Sequence, residues 1–300
     1  VWNLLRDGVP VQVRDAHGEQ RSVVVRVIDW QQPQANDYCY VSQLRIKGDL
    51  YERRPDLVGF VNGLPLVLAE YKAVGVELRE AYDHNLSDYR DTIPQLFPYN
   101  ALIILSNGIR SRVGSLSAGW EHFSEWKRVE REDEQVNTSI ETLLRGTCAP
   151  ERLLDLVQNF TLFVSAGSKP VKLVARNHQY LGVNNAIAAL QRLDGERRRL
   201  GVFWHTQGSG KSYSMVFFSQ KVLRTVPGNW TFVIITDRQE LDRQIYQTFA
   251  DADAITEPES AVRADSGVHL RQLLRENHRN LFTLIQKFNT NTPGASGEQG

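Results

Sequence analysis

Three side chains in the first half of the chain could perform phosphodiester chemistry: Asp56, which follows Pro55, and Glu70 and Lys72 in the run Glu70-Tyr71-Lys72. The two-residue strand period places Glu70 and Lys72 on one face. Asn62-Gly63 lies between the apolar runs Asp56–Val61 and Leu64–Lys72, a strong hairpin signal, and that turn folds Asp56 back beside Glu70. Two adjacent carboxylates repel, and a hard divalent cation such as Mg²⁺ between them removes the cost. Lys72 then orients an attacking water and stabilises charge growing at phosphorus. Taken singly, Asp56 reads as a turn residue, and Glu70 with Lys72 as a surface pair on an edge strand. The unbroken apolar run Val67-Leu68-Ala69 favours chemistry, because a charge at the end of a strand buried on both faces needs a reason. Further on, Asn85 and Tyr89 share a helix face at i, i+4 and are expected to project beside the metal site and hold a DNA phosphate. Ordinary amphipathic helices contain such pairs too.

A second constellation is His205-Thr206-Gln207-Gly208-Ser209-Gly210-Lys211-Ser212, between a predicted strand Gly201–His205 and a predicted helix Lys211–Arg224. Gly208, Ser209 and Gly210 let the backbone curl so that its N–H groups face one oxyanion at a helix N-terminus. Lys211 reaches the β/γ-phosphates and the Ser212 hydroxyl ligates Mg²⁺. His205 stands where the full phosphate-loop pattern asks for Gly. Upstream, Gln179 in Asn177-His178-Gln179-Tyr180 can donate to and accept from adenine, which selects ATP. Asp237-Arg238, after the apolar run Phe232–Thr236, has two readings. Asp237 could be the Mg²⁺-binding acid of a simple nucleotide enzyme. The preferred reading makes Arg238 a nucleic-acid contact, since it opens a helix that can face a phosphate backbone.

These residues need elements to position them. Strand-like pieces occupy Ser22–Ile28 and Asp37–Lys47, a helix is expected over Arg79–Asp91 and a buried strand over Tyr99–Ser106. Short helices follow at Thr138–Arg145, opened by Asn137/Thr138 with Glu141 as a capping box, and at Pro150–Asn159. Past Lys169-Pro170 strands and helices alternate, with strands at Thr231–Thr236 and Leu281–Lys287, helices at Asn185–Leu193, Arg238–Phe249 and Val268–Glu276, and a charged stretch at Asp194–Arg199. That alternation implies a parallel, doubly wound sheet. A boundary is expected near residues 165–175.

The 300 residues carry 35 Lys+Arg and 35 Asp+Glu, which excludes a polycationic tail but not a local nucleic-acid groove. Residues 1–170 hold 19 basic and 23 acidic side chains, a balance of −4, and residues 171–300 hold 16 and 12, a balance of +4. Two cysteines, Cys39 and Cys148, give no disulfide framework and suit a reducing compartment. No apolar run has membrane-span length and no signal peptide is visible. A first residue other than Met reads as a piece of a longer chain.

Together the two constellations resemble the motor (R) subunit of type I restriction–modification enzymes. Long strings support the likeness: Asn36-Asp37-Tyr38, Gly48 through Leu66, Glu70-Tyr71-Lys72, Ile93 through Asn100 and Ser106-Asn107-Gly108 in the first half. In the second half they are Asn177 through Tyr180, Trp204 through Ser212, Ile235 through Asp242 and Phe282 through Phe288. The resemblance implies an α/β architecture: a PD-(D/E)xK endonuclease domain over 1–168, with a mixed central sheet flanked by helices, then the start of a RecA-like superfamily 2 helicase lobe over 169–300. It implies that Asp56 and Glu70 bind Mg²⁺, that Lys72 completes the nuclease centre, that Gln179 reads adenine, and that Gly208–Ser212 hold ATP phosphates. It makes Arg238 part of a DNA-contacting motor element. It further implies double-stranded DNA, a specificity subunit and a methyltransferase subunit as partners, no membrane, and a prokaryotic cytoplasm. The family's nuclease helix often has Gln-x-x-x-Tyr, where this chain has Asn85 and Tyr89. No Asp-Glu-Ala-His box follows the phosphate loop before Gly300, so these residues alone are not expected to hydrolyse ATP or translocate DNA. The rival readings are a catalytically silent DNA-gripping module attached to a motor, and a P-loop ATPase without nucleic-acid work.

Overall fold

The computed structural model describes residues 2–15, 18–166, 169–193 and 199–288. Most of the stretch Asp194–Arg199 lies outside them. Two compact units divide the chain: residues 1–162 with 171–182, and residues 163–170 with 183–300.

In the first unit, helix α1 (Trp2–Asp7) precedes the antiparallel pair β1 (Val9–Arg14) and β2 (Gln20–Val25). The main sheet has five strands, β3 (Tyr38–Ser42), β6 (Leu57–Val61), β7 (Leu64–Tyr71), β8 (Leu102–Ser106) and β9 (Ser111–Gly114), in the spatial order β3-β6-β7-β8-β9. Two short strands, β4 (Ile46–Lys47) and β5 (Glu52–Arg53), pair beside it in the loop before β6. Only the β7–β8 neighbours are parallel, so the sheet is mixed. The parallel step needs a crossover, supplied by a π-helical stretch, Ala81–Leu86, continued by α2 (Ser87–Thr92). Leu78, Ala81, Leu86, Tyr89 and Ile93 from the crossover pack on Val58, Leu68, Ile103 and Leu105 from the sheet to form the core. Strand β8 is buried along its whole length, as expected of a strand covered on both faces.

Asn62 (φ 48°) and Gly63 (φ 79°) both take positive φ, the primed turn that matches strand twist. Asn62 locks the turn: its Oδ1 accepts from Asp37 N (2.7 Å), and its Nδ2 donates to Val27 O and Asn36 Oδ1 (2.8 Å each). The ladder begins Val61↔Leu64 and Phe60↔Pro65, then shifts by one residue to Gly59↔Val67 and Leu57↔Ala69. A bulge suits this place because Pro65 has no N–H for the ladder.

Helices α3 (Ile140–Thr147) and α4 (Pro150–Asn159) follow. The cap of α3 is Ser139, whose Oγ accepts from Thr142 N (3.1 Å), rather than the expected Asn137/Thr138; Asn137 instead accepts from Ser139 N. Strands β10 (Thr161–Ala166) and β11 (Lys169–Val174) pair, and helix α5 spans Asn177–Gln191. It starts eight residues before the expected Asn185, with Asn177–Tyr180 as its first turn.

The second unit has α6 (Lys211–Thr225), β12 (Phe232–Thr236), α7 (Gln239–Asp251), α8 (Glu259–Val262), α9 (Gly267–Leu273) and β13 (Asn280–Leu284). Strands β12 and β13 are parallel, Phe232 opposite Asn280. The expected strand Gly201–His205 is not formed; Val202 is 93% and Trp204 78% exposed. A strand needs a ladder neighbour, and among the described residues β12 and β13 form a two-stranded sheet, with an isolated bridge from Arg263 to Phe282, that takes in no residue of 201–205. The expected strand Leu281–Lys287 ends at Leu284 and turns into a 3₁₀ segment, Ile285–Phe288.

Candidate functional site

The register of β6 on β7, continued by one residue, sets Asp56 opposite Glu70. The side chains confirm the placement. Asp56 N donates to Glu70 Oε1 (3.1 Å), and Asp56 Oδ2 accepts from Tyr71 N (2.8 Å). Glu70 is 2% exposed. Burial, then the Asp56 charge, push its carboxyl up to about 7. Lys72 stands one residue past β7, where its N–H donates to Ser106 O (2.8 Å) and continues the ladder. Its ammonium donates to Asn85 Oδ1 (2.6 Å), while Asn85 Nδ2 donates to Glu70 Oε2 (3.1 Å). One amide thus joins the lysine to the carboxylate. The buried Tyr89 phenol lies against Asn85 and Glu70, and burial followed by the Glu70 charge hold its pKa well above the usual range.

The structure therefore brings Asp56, Glu70, Lys72, Asn85 and Tyr89 into one cluster. Asn85 and Tyr89 point into it. Gln43 joins them without having been anticipated: its Nε2 donates to Asp56 Oδ1 (2.8 Å), and its backbone N to Asp56 O (3.0 Å). Gln43 has φ 53°, the left-handed turn that brings its side chain round to Asp56. The sequence pattern places Gln43 inside the strand Asp37–Lys47, whereas β3 ends at Ser42 and leaves Gln43 in the turn.

The donor set fits a hard cation. Two carboxyl groups are held side by side; burial and the Asp56 charge raise the Glu70 carboxyl to about 7, and a bound cation would favour its ionised form. Among the described residues no group of three or more His, Cys, Asp or Glu side chains is arranged to hold a metal, so the remaining ligands would be backbone, water or substrate oxygens.

At the phosphate loop, Gly208 (φ 77°) and Gly210 (φ 83°) adopt left-handed backbone, and Gly210 is the N-cap of α6. The first-turn N–H groups of Lys211 and Ser212 open the helix, as an oxyanion requires. Lys211 Nζ folds over the loop onto His205 O (2.7 Å) and Thr206 O (3.1 Å). Carbonyl partners leave its charge uncancelled, which fits a phosphate. Ser209 N donates to Thr206 O (3.3 Å).

Gln179 is 5% exposed, and its Oε1 accepts from Arg176 N (2.9 Å), so it reaches back to cap its own helix. It belongs to the first unit and the phosphate loop to the second. Arg238 is the N-cap of α7; its side chain is 79% exposed, with Nε 3.4 Å from Asp237 Oδ2.

Residues 1–122 match the family described as the type I restriction enzyme R protein N terminus, and residues 178–299 match the SWI2/SNF2 ATPase family. The type I restriction enzyme HindI endonuclease subunit of Haemophilus influenzae is 40% identical over 97% of this chain and 28% of its own length. A type I restriction endonuclease-subunit sequence from Methanocaldococcus jannaschii is 29% identical over 96% of this chain and 29% of its own length. The SsaAORF53P endonuclease subunit of Staphylococcus saprophyticus is 28% identical over 82% of this chain and 25% of its own length. The chain spans less than a third of the length of these relatives. With both family models falling in order along it, and the likeness to such subunits running through nearly all of it, the chain belongs to the endonuclease (R) subunit family of type I restriction enzymes.

Proposed function

We propose that the first unit is a Mg²⁺-dependent DNA endonuclease of PD-(D/E)xK type, within about residues 1–168. The observation that carries this is the Asp56–Glu70 carboxylate pair hydrogen-bonded through Asn85 to Lys72 at the end of a buried strand. A bound Mg²⁺ would supply Lewis-acid polarisation of a phosphate oxygen and a more acidic water. Asp56 and Glu70 hold that cation. Gln43 and the Tyr71 N–H fix the orientation of Asp56. Asn85 fixes the Lys72 ammonium, which stabilises charge at the phosphorus oxygens. In the full-length protein Asn85 and Tyr89 would act near the DNA mainly through Lys72 and Glu70.

The second half of the chain, residues 169–300 in the same reading, is the beginning of a RecA-like ATP-driven DNA motor lobe. Gly208, Ser209, Gly210 and Lys211 hold the phosphates and Ser212 the nucleotide-bound Mg²⁺; Gln179, in the first turn of α5, is the residue that would read an adenine. Arg238, exposed at a helix start, meets the DNA backbone. The parent subunit would translocate and cut duplex DNA in a complex with specificity and methyltransferase subunits, in the cytoplasm. No helix among the described residues is long and apolar enough to cross a membrane.

The test is cleavage of duplex DNA by the full-length subunit assembled with its partners, in Mg²⁺ and ATP. Asp56→Ala and Lys72→Ala should each abolish cleavage while ATP turnover persists, and Lys211→Ala should abolish both. Cleavage by a folded Asp56→Ala protein would instead favour a silent DNA-gripping module, and DNA-independent ATP turnover would remove the motor reading.

A further inference from the structure

A cavity in the first unit, away from the carboxylate pair, is lined by Arg112, Lys127, Arg128 and Arg176, with Glu125 as the one carboxylate among its lining residues. The three guanidinium groups are held by backbone carbonyls. Arg112 Nη1 donates to Phe123 O (3.4 Å), Arg128 Nε to Glu134 O (2.8 Å) and Arg176 Nη2 to Glu121 O (3.3 Å). Carbonyls orient a guanidinium without neutralising it. The nearby Glu134 carboxylate is turned onto the N–H groups of Val129, Glu130 and Arg131 (2.9 Å each). Lys127 Nζ is 3.6 Å from Glu125 and half exposed.

The cavity is braced. Asn177, nearly fully buried, accepts from Lys127 N and Arg128 N (3.1 Å each) and donates to Arg128 O (2.8 Å), tying that segment to the start of α5. The N-terminus of this fifteen-residue helix adds partial positive charge. Arg112 stacks over Trp120 with 4.6 Å to the ring centroid. Four cations converge in a part of the chain whose overall balance is acidic.

Sheet register locates the cavity relative to the carboxylates. Glu70 pairs with Leu105, and Leu105 with Arg112, so all three share one face. Two strand spacings separate Glu70 from Arg112, about 10 Å. Adjacent phosphates on one DNA strand lie about 7 Å apart, because the backbone winds around an axis whose rise is about 3.4 Å per nucleotide, so that separation spans about one to two nucleotides. We propose that this cavity is a phosphate-binding site that grips the DNA backbone about one to two nucleotides from the scissile phosphate. The DNA source rests on the nuclease reading; the oxyanion chemistry does not.

The test is fluorescence anisotropy of a labelled duplex with the full chain in EDTA, between about 50 and about 200 mM salt, with Arg112→Gln, Arg176→Gln and Lys127→Gln. The half-exposed Lys127 can be changed without disturbing the fold. Each variant should lower the log–log salt slope by about 0.9 and weaken binding about three- to tenfold. Arg145→Gln, an exposed cation outside the cavity, should alter neither by a comparable amount. Slopes unchanged from wild type, or shifted as much by Arg145→Gln, would overturn the proposal. So would loss of labelled-ATP binding in Arg176→Gln with an unchanged DNA slope, which would assign the cavity to free nucleotide. Asp56→Ala should keep the wild-type slope. If Asp56→Ala still cut DNA in the assembled complex, the nuclease reading would fail independently of the slopes.

Discussion

Replacing Glu70 by Gln should make the protein more stable while removing its proposed chemistry. Burial, with the Asp56 charge second, raises the Glu70 carboxyl from 4.5 to about 7. Below pH 4.5 it is protonated in both folded and unfolded chains, and its ionisation then costs nothing. Between 4.5 and about 7 the unfolded chain releases the proton first, so stability falls as pH rises. Above about 7 both forms are ionised and the whole cost is present, about 3 kcal/mol. At about pH 5 the same relation gives about 1 kcal/mol. Gln is neutral and nearly isosteric, and its Oε1 can still accept from Asp56 N. Its Nε2 then faces the Asn85 Nδ2 donor, so the charge-assisted bond to Asn85 is lost, and the net gain should be about 2 kcal/mol at pH 8 and near zero at pH 5. The assay is urea unfolding of the first unit in EDTA at the two pH values. Added Mg²⁺ should restore stability to the wild type and leave Glu70→Gln unmoved. Equal effects at both pH values, or a net loss at pH 8, would refute the claim that a strained carboxylate sits at this site.

Burial lowers the Lys172 amine from 10.5 to about 7, although its Nζ bonds Asn100 O and lies 3.8 Å from the Trp2 ring centroid. Here stability rises with pH from about 7 to 10.5, because the unfolded amine keeps a proton that the folded one has lost. Lys172→Met should therefore stabilise by about 2 kcal/mol at neutral pH, an advantage that shrinks toward pH 10, followed by urea unfolding. At Gly63 (φ 79°) an added Cβ meets no neighbouring atom, so Gly63→Ala should cost about 1 kcal/mol through backbone conformation alone, read as a lowered unfolding midpoint.

Much of the candidate site was legible in the order of residues. Asn62-Gly63 between apolar runs specifies a primed hairpin turn, because these two residue types tolerate positive φ at low cost. Val67-Leu68-Ala69 marks a buried strand that ends in charge. The glycines of the 208–210 loop mark backbone that only Gly adopts freely, and the structure places both at positive φ. The helix after the hairpin was readable in place, and its inward-pointing Asn85 and Tyr89 were readable in spacing.

Other features are decided by partners distant in sequence. Gly201–His205 has strand composition and forms no strand, since hydrogen bonding to a neighbour rather than composition makes one. Gln179 looks like a ligand-reading amide, and in the fold its Oε1 also accepts from Arg176 N, a contact visible only once α5 is seen to start at Asn177. Gln43 enters the site because a left-handed turn delivers it to Asp56.

The register matters most. The Asn62-Gly63 turn alone, continued from Val61↔Leu64 and Phe60↔Pro65, would set Asp56 opposite Ala69, with Glu70 on the other face. Side chains alternate across a strand, so a one-residue slip parts the carboxylates. The bulge beside Gly59 and Pro65 absorbs that residue and turns Asp56 toward Glu70. The sequence by itself determined which residue types stand at the end of a buried strand. Tertiary structure decided that they meet, because the pairing phase of two strands depends on the whole ladder and on the core beneath it.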